Sequence, residues 1–149
     1  MSELDDLYQD IILNHNKRPR NYRKMPDATH HAEGHNPLCG DEVTVYVHLE
    51  GETISDVSFD GQGCAISKAS ASLMTTRLKG KTLADVRTLA KEVRAMLAGQ
   101  DDKEPDLEEL GDLAALAGVR KYAVRVKCAT LAWHTLEAAL EGRGSVSTE

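Results

Sequence analysis

The 149-residue chain sets 18 Lys plus Arg against 24 Asp plus Glu, and the net charge of −6 argues against general nucleic-acid binding. Hydrophobic residues are 41% and charged residues 28%, an ordinary balance for a soluble globular protein, and no apolar run approaches the roughly 20 residues of a membrane span. One domain spanning 1–149 is expected, large enough to bury roughly 68–70% of its unfolded surface without needing a metal merely to have a core.

The start, Met1-Ser2-Glu3-Leu4-Asp5-Asp6, is acidic and lacks the basic and apolar stretches of a signal peptide. Ser2 can cap a helix, with Asp5 three residues on in a variant capping box. Leu4, Leu7, Tyr8, Ile11, Ile12 and His15 then recur at three- and four-residue steps, predicting one apolar helical stripe that fades near Asn16, before Pro19. A basic patch follows (Lys17, Arg18, Arg20, Arg23, Lys24), read as a solvated connector or as a docking surface for an acidic partner.

Residues 27–36 are weakly patterned and suit an edge strand. Val43, Val45, Val47 and Leu49 alternate with Thr44, Tyr46 and His48, which predicts a half-buried strand. Leu49-Glu50-Gly51-Glu52 supplies a turn into a second hairpin arm from Thr53 to Asp60, whose alternation slips between Ile54 and Val57 as a bulge would make it. The sheet is expected to end at Gly61.

Helices complete the chain. Cys64 to about Leu78 carries Ile66, Ala69, Leu73 and Met74, with Gly80 closing it. Thr82 caps the next, whose inner face holds Leu83, Val86, Leu89, Ala90, Val93 and Leu97, with Gly99 past its end. An acidic insertion at about 100–118 opens with Asp101, Asp102, Glu104, Asp106, Glu108 and Glu109. There Pro105 fits a helix start, and Leu107, Leu110, Leu113 and Ala114 would dock lightly. A last helix runs from about Lys127 to Leu140, and residues 142–149 read as a frayed tail. The fold class is α+β: a small antiparallel sheet of about three strands packed by four to six helices.

The chemistry lies in the three cysteines. Cys39 sits in a Cys-Gly-Asp turn with Asp41, Cys64 follows Gly61-Gln62-Gly63, and Cys128 precedes a helical pattern. An odd, widely spaced set is a poor disulfide framework and fits a reducing cytoplasm. Cys64 and Cys128 both fall at predicted helix N-termini, where free N–H groups and the dipole favour thiolates. Gly40, Gly61 and Gly63 let the backbone draw close to one point. Three sulfurs and one carboxylate suit a four-coordinate zinc site, or a cradle for iron and sulfide. Arg125 and Lys127, just upstream of Cys128, would supply counter-charge if they were adjacent in space. A lone cysteine is most often a small buried hydrophobe; three at turns or helix starts are not. His30, His31 and His35 are rival ligands on a polar, exposed segment, whereas His15, His48 and His134 read as structural.

Asn36-Pro37-Leu38-Cys39-Gly40-Asp41, Gly61-Gln62-Gly63-Cys64-Ala65-Ile66-Ser67 and Arg125-Val126-Lys127-Cys128-Ala129-Thr130-Leu131-Ala132-Trp133 resemble the three signatures of the IscU-like iron–sulfur cluster assembly family, specifically its SufU branch. Leu7-Tyr8-Gln9-Asp10-Ile11-Ile12-Leu13-Asn14-His15 and Lys17-Arg18-Pro19-Arg20-Asn21 are similar to that branch too. Lys127 stands where the scaffold branch usually carries histidine, and the acidic insertion fits one found in the SufU branch. No proline-rich chaperone signal precedes Cys128, and Ala123 departs from a proline common in SufU-like sequences.

The resemblance implies a zinc site made by Cys39, Asp41, Cys64 and Cys128. It also implies a zinc-dependent sulfurtransferase that accepts persulfide sulfur from a pyridoxal-phosphate cysteine desulfurase (SufS-like), with downstream iron–sulfur assembly proteins as recipients. Cys39, on the loop best able to open, is the expected acceptor, with Arg125 steadying the transferred anionic sulfur. A histidine of the desulfurase would take the place of Cys39 on the metal. The alternative is a scaffold on which the same residues assemble an iron–sulfur cluster for apo-proteins; a purely structural zinc site is a third reading.

Overall fold

The computed structural model describes residues 3–37, 39–98, 107–119, 122–142 and 144–147. The Ser2 cap, Leu38, Gly99, the acidic run from Asp101 to Asp106 with Pro105, and the last two residues lie outside these, as do the side chains of Leu4, Asp5 and Leu107.

Alternating valines build the sheet. β1 (His30–Asn36), β2 (Asp41–Glu50) and β3 (Thr53–Gln62) pair antiparallel in chain order, as the α+β expectation requires. Val43, Val45 and Val47 turn one face of β2 inward, while Thr44, Tyr46 and His48 stay half-exposed. The bulge falls where the alternation slips: His48 pairs with Asp56 and Leu49 with Ile54, so Ser55 is the extra residue. The short β4 (Ser145–Ser147) runs parallel to β1 along Glu33, Gly34 and His35, giving the order β3-β2-β1-β4. Two expectations fail here: β1 is flanked on both sides, and the stretch from 142 on is not wholly a frayed tail. A three-residue strand gains its backbone partners only in the folded state, so the local sequence carries little sign of it.

The helices are α1 (Glu3–Lys17), α2 (Ala65–Leu78), α3 (Leu83–Ala98), a single turn α4 (Leu107–Leu110), the 3₁₀ segment Gly111–Val119 and α5 (Ala123–Leu140). On α1 the buried stripe is Tyr8, Ile12 and His15, spaced by four and three residues, whereas Leu7 is 53% exposed. The helical stripe is thus narrower than its apolar residues suggest. Thr82 caps α3 as expected, its Oγ1 accepting the Asp85 N–H at 3.2 Å.

α2 and α5 form the centre. Ser70 Oγ donates to the Ala129 carbonyl and accepts from Trp133 Nε1 at 3.2 Å, and all of Trp133 is buried. The two helices thus meet mid-length through small residues and one indole, which lets them pack closely. Leu110, Leu113, Ala114, Ala115 and Leu116 are buried outright, so this part of the insertion does not dock lightly but fills core. No described helix is long and apolar enough to cross a membrane.

Candidate metal centre

At one end of the sheet the last residue of β1, Asn36, faces the first residue of β2, Asp41. The turn between them is closed by a hydrogen bond from the Cys39 N–H to the Asn36 carbonyl (3.2 Å), and Gly40 takes the left-handed conformation (φ 71°) that reverses the chain. This puts Cys39 half-buried on the turn and Asp41 wholly buried at the strand's first position.

β3 ends beside them and hands the chain to α2. Cys64 is the N-cap of α2: its Sγ accepts the Ser67 N–H at 3.4 Å. Its own backbone N–H is donated to Asp41 Oδ1 at 2.7 Å, and its thiol lies 3.7 Å from Asp41 Oδ2. Asp41 can come this close only because residue 63 is glycine; a Cβ there would lie 2.5 Å from Asp41 Oδ1 and 3.2 Å from the Asp41 Cα.

Cys128 arrives from α5. Its Sγ stands 3.4 Å from Cys39 Sγ, and its sulfur lies within 4.8 Å of the Asp41 carboxylate. The ligand atoms of Cys39, Asp41 and Cys128 all lie within 4.8 Å of one another; Cys64 stands outside that group and adjoins it through Asp41, its Sγ 3.7 Å from Oδ2. Three of the four residues singled out in the sequence therefore share one point, and the fourth, Cys64, touches it through Asp41. Among the described residues no histidine belongs to the group; His35 lines an open hollow of about 350 Å³ beside it, shared with Pro37, Gly40 and Glu42.

One expectation is overturned. α5 begins at Ala123 rather than near Lys127, so Cys128 sits inside the helix and not at its free N–H groups. It is only 2% exposed. Burial, then hydrogen bonds to Asp41, Cys39 and Cys64 and the charge of Cys64, push its thiol well above the ordinary range, the opposite of what a helix start would do. Arg125 and Lys127 are exposed on the first turns of α5, and among the described residues neither forms an ion pair.

One contributor went unassigned in the sequence. Asn36 is wholly buried and aims its Nδ2 at Cys39 Sγ (3.7 Å), donating to the sulfur. Its Asn-Pro step is a turn signal that marked the place without the role.

The donor chemistry fits a metal. Ligand atoms 2.0–2.3 Å from a tetrahedral ion stand about 3.3–3.8 Å apart, and the 3.4 Å and 3.7 Å separations here match that spacing. A cation would also reverse the electrostatics at Cys128, because a coordinating thiol is deprotonated outright.

Residues 7–129 match the family model of the NifU-like N-terminal domain. The chain belongs to that family. It is 40% identical over 136 residues to the zinc-dependent sulfurtransferase SufU of Bacillus subtilis, covering 91% of this chain and 90% of that one. It is 38% identical over 141 residues to the iron–sulfur cluster assembly scaffold protein IscU of Streptococcus pyogenes, covering 95% and 87%. In structure it resembles a putative iron–sulfur cluster assembly scaffold protein for the SUF system from Fervidobacterium islandicum, with TM-score 0.82, 38% identity, and coverage of 94% and 99%. The likeness to the IscU-like family and its SufU branch, read from three motifs, is borne out.

Proposed function

We propose that the chain is an iron–sulfur cluster assembly protein that accepts persulfide sulfur on Cys39 from a cytoplasmic, pyridoxal-phosphate cysteine desulfurase of the SufS type. The observation that carries the reading is the asymmetry of the sulfurs: Cys39 is half-buried on a turn whose next residue, Gly40, lines an open hollow, while Cys128 is buried within α5. Cys39, Asp41, Cys64 and Cys128 would hold zinc. Bound zinc keeps its ligand thiols deprotonated at neutral pH and has no redox chemistry of its own.

In the transfer, the Cys39 thiolate attacks the outer sulfur of the partner's persulfide. The new bond forms at Cys39 Sγ, the partner's S–S bond breaks, and the partner's cysteine leaves as thiolate, so atoms and charge balance. Cys39 must be off the metal to attack, and its turn is the part of the centre not anchored in a helix. Asp41 and Cys64 hold each other through the 2.7 Å bond, and Cys128 is fixed by α5. Arg125, one turn before Cys128, would steady the incoming anionic sulfur as α5 meets the partner. The name of the Bacillus subtilis relative supports this reading.

The test is turnover of the desulfurase with and without the protein, with zinc content measured alongside. Cys39→Ala should retain part of its zinc and lose sulfur uptake; full uptake by that variant overturns the assignment. The scaffold reading is supported by the names of the Streptococcus and Fervidobacterium proteins and uses the same four donors. It requires a coloured, transferable cluster on the purified protein, where sulfur transfer requires colourless zinc.

A further inference from the structure

Cys39 and Cys128 bring their sulfurs to 3.4 Å of each other. We infer that Cys128 is an intramolecular resolving thiol: in metal-free protein it attacks a persulfide on Cys39, releases the carried sulfur as sulfide and closes a Cys39–Cys128 disulfide. This rests on Cys39 being the sulfur acceptor, as proposed above.

The geometry selects both the attacker and the atom attacked. A disulfide needs its sulfurs at about 2.0 Å, so the pair has little more than an ångström to close. Cys39 is on a turn that can give, and Cys128 is held by a helix. Once Cys39 carries an extra sulfur, the atom already facing Cys128 is Cys39 Sγ, the inner sulfur. Attack there breaks the bond to the outer sulfur; attack on the outer sulfur would only move the cargo. Cys64 is placed for other work, its Sγ accepting the Ser67 N–H at the head of α2.

The step balances without an added oxidant. Cys128 Sγ supplies the electron pair of the new S–S bond, and the pair of the old bond departs with the outer sulfur. The persulfide is thus the oxidant: its outer sulfur is reduced to sulfide, and the Cys128 thiol is oxidised to the disulfide level. The proton balances within the step as well: the Cys128 thiol proton leaves with the outer sulfur, as hydrosulfide.

Coordination of Cys128 occupies the electron pair this reaction needs. A metal in the centre therefore guards the cargo as well as organising its ligands, and loading sulfur without metal ties up two of the four donors.

The experiment compares chelator-stripped and zinc-loaded protein, each given sulfur in two ways: by inorganic polysulfide, and by a desulfurase with cysteine. Released sulfide is assayed and disulfides are mapped by mass spectrometry without reduction. The stripped protein should release its bound sulfur as stoichiometric sulfide and yield the Cys39–Cys128 cross-linked peptide, whereas zinc-loaded protein should keep the persulfide. Cys128→Ser, stripped, should hold its persulfide on Cys39. The inference falls if stripped wild-type protein retains its persulfide, if the map shows Cys39 joined to Cys64, or if the extra sulfur is found on Cys128. The wild-type map decides even where the variant fails to fold. Loading by polysulfide but not by the desulfurase would sink the acceptor function while leaving the resolving step to be judged on the polysulfide arm.

Discussion

α2 and α5 each deliver a cysteine to the same centre, and they do so by opposite means. Cys64 stands at the head of α2, where it is an N-cap and its sulfur receives a backbone N–H. Cys128 lies within α5, shut off from water and crowded by two other thiols and a carboxylate, so burial opposes its thiolate. One cysteine is seated at the head of its helix with its sulfur in a capping bond; the other is enclosed in a helix wall, where burial opposes its charge. Two helices can thus bring thiols to one place in unlike settings, one at a cap and one enclosed.

The largest expected effect comes from cutting the tie between the two helices. Trp133→Ala removes a wholly buried indole that reaches Ser70 across the α2–α5 contact. It should cost about 3–5 kcal/mol in denaturant melts and lower zinc affinity with it. Unchanged zinc binding in a folded Trp133→Ala protein would show that the centre does not depend on how α2 and α5 dock.

Next come the cysteines themselves, in metal-free protein. Cys128→Ser buries a hydroxyl where a thiol packed and should destabilise by about 1–3 kcal/mol. Cys64→Ser places a better helix cap at the same position and should be neutral or stabilising by less than about 1 kcal/mol. Opposite signs in thermal melts sharpen the contrast; equal losses break it.

Gly63→Ala forces Asp41 away from the Cys64 N–H and should weaken zinc binding by about 10–100-fold, read by competition with a chromophoric chelator. Fold stability away from the site should change little.

A smaller effect concerns the seam between α1 and α2. His15 Nδ1 meets Ser72 Oγ at 2.7 Å. Burial, followed by the Arg20 charge, lowers its pKa below the ordinary 6.5, with Asp112 opposing. The folded state therefore binds a proton less readily than the unfolded chain. Stability from this group is complete above about 6.5 and is lost as pH falls below it. Urea melts of His15→Gln should show a flatter dependence below neutrality; an identical pH profile contradicts the assignment.

Much of this was legible in the residues. β2 could be read because its buried valines leave alternate positions exposed, and the bulge at Ser55 showed as a slip between Ile54 and Val57. The Cys64 cap could be read because two glycines and a strand end precede it. Cys128 was misplaced because α5 starts without local punctuation: its cap residue, Tyr122, makes no side-chain capping bond, and Val124 is 61% exposed. The run Leu113-Ala114-Ala115-Leu116 is apolar, yet it follows an acidic stretch that made the segment read as surface. β4 exists through pairing with β1, a partner more than a hundred residues away in the chain, which no local pattern announces.

X-ray absorption at the zinc edge of the purified protein tests the central claim most directly. Three sulfurs at about 2.3 Å with one oxygen at about 2.0–2.2 Å is the expected shell. A histidine nitrogen in that shell, or fewer than three sulfurs, would contradict the account.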